Sequence, residues 1–203
     1  ENLHFEFGGF YSYLDNAMVR RDFTFNGQDS IMYDGTMSKV QAYVNTDNAI
    51  IYGVQGIISF DFFDFELKSS LSFTSGHDKD GFTLRYAPPV FGATHLIYDA
   101  YNFTVDVNYV YNGEISFDKM TPTEIAKPEI YATDKEGNPY CPSWQTLNFK
   151  FGYEFAFANL NTVNVYFGVE NILDVRYRPY SSGIASAGRN FIMSLKYNFN
   201  STK

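Results

Sequence analysis

The sequence predicts an all-β protein, an antiparallel transmembrane β-barrel, and three observations support this. Apolar and polar residues alternate with a period of two through most of the 203 residues, these alternating runs number eight, and the links between them are long and short in strict turn. Alternation with this period is typical of β-strands. Each run has about ten residues, the length that a tilted strand needs to cross a bilayer.

Composition excludes several classes of protein. The chain has 17 Tyr, 21 Phe and one Trp, a net charge of -8 and the single cysteine Cys141. No run of 18 apolar residues exists, which excludes a transmembrane helix. The negative charge and the lack of a Lys/Arg cluster argue against a nucleic-acid partner. No disulfide can form within the chain, and no common catalytic motif occurs, so we expect neither an enzyme nor a cofactor or metal site.

The eight predicted strands differ in clarity. The four clearest occupy residues 64–75, 102–112, 146–155 and 190–199, and the less regular ones cover roughly 3–14, 49–62, 88–98 and 163–173. In the clear runs no charged residue interrupts the apolar face; in the first, for example, this face reads Phe65, Leu67, Ser69, Leu71, Phe73. A soluble β-sandwich would keep charges off its apolar face as well, so the alternation alone leaves both folds open.

The links between strands distinguish the two folds. Links of about 35, 13, 30 and 15 residues alternate with short turns at "FFDF", "DAYN" and "AFANLNT". Membrane barrels sort their links in this way, because short turns face the periplasm and long loops face the exterior. A Greek-key sandwich has no reason to do so. The order of the links therefore favours the barrel, with both chain ends on the short-turn side.

The C-terminal stretch resembles a known family. "GVENILDVRYRPYSSGIASAGRNFIMSLKYNF" is similar to the end of TonB-dependent outer-membrane receptors, which carry a G-x-x-N-Φ-x-D-x-x-Y segment, then Gly-Arg and an alternating strand that finishes on Phe. The matching positions are Gly168, Asn171, Asp174, Tyr177, Gly188, Arg189 and Phe199. Upstream, Pro88, Pro89 and Gly92 resemble a P-P-x-x-G element that opens a late barrel strand. "NSTK" after Phe199 departs from the pattern.

The resemblance implies a fold and a function for the whole protein. Residues 1–199 would be the last eight strands of a 22-stranded barrel and 200–203 a short tail, with the plug domain and TonB box outside this chain. The protein would be a transporter of a scarce solute such as a ferric siderophore or haem, located in the outer membrane of a Gram-negative bacterium. Its partners would be outer-membrane lipid, the remaining barrel and plug, the TonB complex, the barrel assembly machinery, and the ferric chelate or haem as ligand.

Candidate functional residues lie in the long links and in the last strand. For solute binding we predict His77 as an iron ligand of the haem type, Arg85 and Arg178 as partners of an anionic chelate, and Tyr86 and Tyr180 as stacking groups. For recognition by the assembly machinery we predict Phe191, Leu195, Tyr197 and Phe199. Ionisable residues on the polar strand faces, such as His95, Asp106 and Lys150, are expected to line a polar lumen rather than to perform acid–base chemistry.

Two other classes of protein remain open at this point. A complete eight-stranded outer-membrane barrel, acting as an adhesin, an anchor or an enzyme, would also have a polar interior. A soluble carbohydrate-binding sandwich would instead bury its apolar faces against each other. A complete barrel should refold in detergent and resist denaturation in a gel until boiled, whereas a receptor fragment should aggregate, because its two edge strands lack their barrel neighbours.

Overall fold

The structure, a computed structural model, describes residues 2–85, 87–157 and 161–199. Eight long strands form one antiparallel sheet in the order β1-β6-β7-β8-β9-β12-β13-β14. In chain order the strands are β1 (Asn2–Asp15), β2 (Met18–Asp22), β3 (Ser30–Tyr33), β4 (Thr36–Lys39), β5 (Gln41–Asn45), β6 (Asn48–Phe62), β7 (Phe65–Asp78), β8 (Phe91–Ala100), β9 (Phe103–Asn112), β10 (Ala132–Thr133), β11 (Pro139–Tyr140), β12 (Trp144–Ala156), β13 (Thr162–Glu170) and β14 (Asn190–Asn198).

All eight predicted strands are confirmed: the run predicted over 64–75 extends to Asp78 in β7, and two other ends are shifted for local reasons. The run predicted over 88–98 begins as β8 only at Phe91, because Pro88 and Pro89 have no backbone N–H to donate to a neighbouring strand. The run predicted over 163–173 ends as β13 at Glu170. Asn171 follows with a φ of 49°, a left-handed conformation that ends a strand.

The sheet has one apolar and one polar face, as the alternation predicted. Pairing between successive strands places an apolar residue of every strand in a single row. This row, the apolar row, is Leu3, Phe60, Leu67, Leu96, Val107, Phe149, Val169 and Phe191. The neighbouring row on the opposite face is polar and consists of His4, Ser59, Lys68, His95, Asn108 and Asn148. Every strand therefore presents the same face to the same side.

Aromatic rings cluster on the apolar face at the end with the tight turns. Neighbouring rings approach with centroid distances of 4.8–6.4 Å, and this ring belt consists of Phe60, Phe62, Phe65, Tyr98, Phe103 and Phe151. The two-residue turns below it expose Phe63 and Tyr101 to 93% and 95%. Aromatic girdles of this kind mark the interface of a membrane with water in β-barrels.

The sheet is open. Its edges are β1 and β14, and in the part of the chain that the structure describes no pairing joins these two strands. The described strands therefore do not close into an eight-stranded barrel. Edge strands carry unpaired N–H and C=O groups, which require further strands as partners in a closed wall.

Four long links leave the opposite end of the sheet, and we call them loop 1 (16–47), loop 2 (79–90), loop 3 (113–143) and loop 4 (171–189). Loop 1 is an arm in which β2 pairs with β5 and β3 with β4. Loop 3 contains a short helix, α1 (Pro122–Ile125), 3-10 turns at Phe117–Lys119 and Pro128–Ile130, and the β10–β11 pair. The described helices are all too short to cross a membrane.

The buried apolar core lies in loop 3 rather than between layers of the sheet. Ile115, Met120 and Cys141 are buried together, and Ile125, Tyr131 and Tyr180 pack against them. A single-layered wall leaves both of its faces accessible, so the loops fold on one another to bury apolar surface. Loop 3 is thus the centre of a small folded unit at the loop end of the sheet.

Candidate functional site

Loops 2, 3 and 4 converge on one buried carboxylate, that of Glu124 in α1. Its side chain is 1% exposed. Tyr131 Oη donates a hydrogen bond of 2.6 Å to Oε2, Lys127 Nζ donates one of 3.1 Å to Oε1, and Arg85 Nε of loop 2 lies 3.4 Å from Oε1. A buried charge is tolerated when it is paired and hydrogen-bonded in this way. Glu124 therefore links loop 2 to loop 3.

The charges around Glu124 determine its protonation. Burial alone would raise its pKa, but the hydrogen bonds from Tyr131 and Lys127 and the attraction of Lys127 and Arg85 outweigh burial and hold the pKa below its ordinary value. The pKa of Tyr131 is raised, first by burial and then by its hydrogen bond to the carboxylate. Glu124 is accordingly an anion at neutral pH and Tyr131 a proton donor.

Loop 4 joins the same unit through Tyr180 and Arg178. The backbone N–H of Thr121 donates 2.9 Å to Tyr180 Oη, and the rings of Tyr180 and Tyr131 lie 6.1 Å apart. Arg178 Nη1 donates to the carbonyl oxygen of Ile130. Burial raises the pKa of the Cys141 thiol to about 11, so this cysteine is a thiol at neutral pH and packs as an apolar residue.

Several concave surfaces adjoin these loops. A pocket of about 250 Å³ between loops 3 and 4 is lined by Tyr131, Cys141, Trp144, Tyr177 and Arg178 among others. Another of about 280 Å³ joins loops 1, 2 and 3, and its lining includes Arg20, Arg21, Tyr43, Leu84, Arg85 and Thr121. A third, of about 420 Å³, lies on the polar face beside Lys150 and Glu170. The first two combine apolar walls with guanidinium groups, which suits an anionic ligand with apolar parts.

Loop 1 is joined to the end of β7, directly before loop 2, by an ion pair between Arg21 and the buried Asp78. The guanidinium carbon of Arg21 also lies 4.8 Å from the centroid of the Phe82 ring. Asp78 Oδ1 accepts hydrogen bonds of 3.1 and 3.0 Å from the backbone N–H groups of Asp80 and Phe82. These contacts order the base of loop 2 beside the Arg-lined pocket.

A ladder of polar side chains connects the polar face to loop 4. His95 Nδ1 donates 3.0 Å to Asp106, Asn108 Nδ2 lies 2.6 Å from His95 Nε2, and Asn148 Nδ2 donates 3.1 Å to Asn108 Oδ1. The N–H of Asn171 then donates 2.8 Å to Asn148 Oδ1. His95, Asp106 and Asn108 thus satisfy one another on the polar face, as expected for lining residues.

Three residues of the C-terminal segment, Asn171, Asp174 and Gly188, hold the two ends of loop 4 together. We call this group the loop-4 clasp. Asn171 Oδ1 accepts from the N–H of Val175 at 2.9 Å, and its Nδ2 donates to the carbonyls of Val175 and Ala187 at 2.9 and 3.2 Å. Asp174 Oδ1 accepts 2.8 Å from the N–H of Arg189. A Cβ on Gly188 would lie 2.6 Å from that oxygen, so the position requires glycine.

The structure brings three of the predicted ligand residues to loop 3. Arg85, Arg178 and Tyr180 all contact this loop. His77 lies on the apolar face of β7, where it pairs with Ile50, and it forms an isolated bridge to Thr83 of loop 2. Tyr86 lies outside the described residues. The role of all five in ligand binding stays a prediction.

The predicted assembly residues lie on one side of the last strand. Phe191, Leu195 and Tyr197 alternate on the apolar face of β14, and Phe199 follows directly, with its ring 6.4 Å from that of Tyr197. Arg189, directly before the strand, donates from Nε to the carbonyl oxygen of Ile172 at 2.8 Å. Recognition of this strand by assembly machinery stays a prediction.

Glu124 was missed by sequence reasoning, although a signal existed. "TPTE" at 121–124 has the spacing of a capping box, in which Glu would bond back to the first residue. No side chain caps the helix; the carboxylate turns to Tyr131 and Lys127 instead. In the described part of the chain no group of three or more His, Cys, Asp or Glu is arranged to hold a metal ion.

Known structures with a similar fold are membrane transporters. The copper transporter OprC matches with a TM-score of 0.68 and 15% identity over 95% of this chain and 28% of its own. The FrpB iron transporter from Neisseria meningitidis matches with a TM-score of 0.62 and 12% identity over 95% and 28%. The ferric-catecholate import receptor Fiu from E. coli K12 matches with a TM-score of 0.55 and 17% identity over 95% and 25%.

These likenesses at low identity establish the fold, and the chain spans about a quarter of the length of the structures it matches. No curated protein sequence matches the chain. The model of the family described as "TonB dependent receptor-like, beta-barrel" matches residues 1–172. The matched part includes seven of the eight long strands and loops 1 to 3, and the chain belongs to the TonB-dependent receptor β-barrel family.

Proposed function

We propose that the chain forms the C-terminal wall of an outer-membrane TonB-dependent receptor of a Gram-negative bacterium. The observation that carries this proposal is the two-faced sheet, in which an apolar row crosses all eight strands beside a polar row on the other face. Lipid on one side and a wet or plug-filled lumen on the other require this division. The ring belt at the tight turns fits a periplasmic membrane interface.

The open edges support a role as part of a larger wall. β1 would pair with the preceding barrel strand and β14 with the first strand of a 22-stranded barrel. An adhesin, anchor or enzyme built on a closed eight-stranded barrel would instead need β1 and β14 to pair, and the described strands form an open sheet. The barrel assembly machinery would recognise Phe191, Leu195, Tyr197 and Phe199 on β14.

The solute would bind where the loops meet the lumen. A ferric siderophore or haem carries negative charge beside apolar or planar parts. The Arg20, Arg21 and Arg85 side chains of one pocket and Arg178 with Tyr180 beside the other would complement it. The plug and the TonB complex would then release the bound solute inward.

Uptake by cells that depend on the full-length receptor tests this proposal. We expect ferric siderophore or haem to enter in a TonB-dependent manner, and Arg85→Ala or Arg178→Ala to lower its affinity about tenfold. Lys135→Ala is the charge-matched control, because Lys135 is exposed in loop 3. Normal outer-membrane insertion with no TonB-dependent uptake of any iron chelate would contradict the assignment of the cargo.

A further inference from the structure

The tip of loop 1 is a regular β-hairpin with a defined register. Asp34 and Gly35 connect β3 to β4 with φ angles of 47° and 77°. A two-residue turn with two positive φ angles is of type I′, whose twist matches that of the flanking strands. Thr36 Oγ1 adds a hydrogen bond of 3.1 Å to the carbonyl oxygen of Tyr33. The pairing of the two strands is therefore fixed at the turn.

Two methionines face each other one pair from this turn. Tyr33 pairs with Thr36, and Met32 pairs with Met37. Next to a two-residue turn the first pair is hydrogen-bonded, so the Met32–Met37 pair is of the non-hydrogen-bonded kind, in which side chains lie closer. Both side chains are exposed, at 65% and 67%. Their exposure leaves both thioether groups accessible to a ligand from solution.

The two thioethers suit one class of ligand. Thioether sulfur is a soft donor that selects Cu(I) over hard cations such as Mg²⁺ and Ca²⁺. A metal–sulfur bond is about 2.3 Å long, so two sulfurs on opposite sides of one ion lie about 4.6 Å apart. Opposed side chains of an antiparallel pair begin about 4.5–5.5 Å apart at Cβ. The sulfur atoms lie two bonds beyond Cβ, and the rotatable bonds of methionine allow them to reach the separation that a linear two-coordinate ion requires.

We propose that Met32 and Met37 form a binding site for a soft monovalent cation of the Cu(I) class at the tip of loop 1. The neighbouring pair on the same face is Ser30 and Lys39, and Lys39 Nζ is engaged by Asp22 Oδ2 at 2.6 Å. No carboxylate belongs to the pair itself, so hard divalent cations find no ligand there. The site is independent of the proposed solute uptake and of the Arg-lined pockets.

Silver(I), a redox-inert soft cation, is the probe. The full-length protein in detergent, carrying [13C-methyl]methionine, is titrated with silver nitrate and followed by NMR, with equilibrium dialysis for stoichiometry. We expect the Met32 and Met37 methyl signals to shift together and to saturate at one ion per pair. Met32→Leu or Met37→Leu should weaken binding at least tenfold, since one thioether remains, and neither exposed substitution should change the fold.

Met18 provides the matched control. It is 74% exposed in the same loop but lies opposite Asn45, so it is a single thioether. Met18→Leu should leave the affinity of the pair unchanged, and zinc(II) should shift neither methyl signal. The proposal is overturned if Met32 and Met37 respond no more strongly than Met18, or if Met37→Leu binds silver(I) as tightly as the unaltered protein.

Discussion

The hydroxyl group of Tyr131 donates a 2.6 Å hydrogen bond to the buried carboxylate of Glu124, seven residues before it in loop 3. The same carboxylate attracts Arg85 from loop 2, and Thr121, directly before the helix that carries it, donates a backbone hydrogen bond to Tyr180 of loop 4. Glu124 thus joins loop 2 to loop 3, and Thr121 joins loop 3 to loop 4. The loops consequently behave as one folded unit.

Glu124→Gln should loosen this unit. The amide keeps the shape of the side chain but leaves Lys127 and Arg85 without their anion, and we expect loop 3 to lose about 2 kcal/mol of local stability. Hydrogen exchange of the amides of loops 2 to 4 measures this. Glu129→Gln is the control, because Glu129 is exposed in the same loop. Equal exchange in the two variants would show that Glu124 does not hold the loops.

Acid should loosen the loops only at low pH. The folded-state pKa of Glu124 lies below its ordinary value of 4.5, so the stability that its charge contributes is complete above about pH 4.5. That contribution is lost as the pH falls through the lower, folded-state pKa. Proteolysis of loop 3 with an acid-active protease should therefore accelerate below about pH 4 in the unaltered protein. The Glu124→Gln protein should lack this transition.

Asn171→Ala should open the loop-4 clasp. The substitution leaves the N–H of Val175 and the carbonyls of Val175 and Ala187 without their partner, and alanine is strained at the φ of 49°. We expect a loss of about 3 kcal/mol in the closure of loop 4. The rate of limited proteolysis within residues 175–188 measures this opening of loop 4. Asn190→Ala, an exposed amide at the start of β14, should leave the cleavage rate unchanged.

Gly92 should tolerate no side chain, whereas Gly56 should. Both lie on the apolar face, and Leu71 of β7 pairs with each. A Cβ at Gly92 would collide with the carbonyl oxygen of Ser70 and lie 2.5 Å from Tyr111 Oη, but nothing is within 4 Å of a Cβ at Gly56. Gly92→Ala should cost about 1–3 kcal/mol by overpacking and Gly56→Ala less than about 0.5 kcal/mol. Thermal unfolding in detergent compares them.

The two faces of β7 should differ in how much stability an added charge costs. Leu71→Lys places an ammonium group on the apolar face and should lower stability in lipid by about 2–4 kcal/mol. Ser72→Lys, one residue on, points to the polar face with Gln55 as its partner and should cost less than about 1 kcal/mol. Folding yield into lipid vesicles measures both. Equal tolerance would contradict a lipid contact for the apolar face.

The strands were predictable because their information is local. The alternation at residues 64–75 or 146–155 indicates on which face of the sheet each side chain lies. The observed strands begin and end within a few residues of the predicted bounds. The alternation of long and short links between strands then distinguished a barrel from a sandwich. The ends of β8 and β13 deviated where Pro89 and Asn171 impose their own backbone geometry.

The arrangement of the loops was not predictable in this way. Arg85, Glu124 and Tyr180 are far apart in sequence, and no periodicity relates them, because their contacts arise only when loops from different strand pairs meet. The position of His77 on the apolar face follows from the alternation of β7, which continues to Asp78. The predicted strand ends three residues too early, at residue 75, and therefore places His77 in a loop.

The ring belt also sets how deeply the wall is immersed in the membrane. A strand tilted by about 45° advances about 2.3 Å per residue along the membrane normal, so an apolar band about 25 Å tall takes up about eleven residues. Counted from Phe65 at the belt, the band ends near Ser75, and Asp78 at the end of β7 lies about 7 Å beyond it. The exposed side chains of Phe63 and Tyr101 mark the opposite end of the wall. The Arg-lined pocket beside Asp78 is therefore at the level of the lipid headgroups, which extend several ångströms beyond the hydrocarbon on each side.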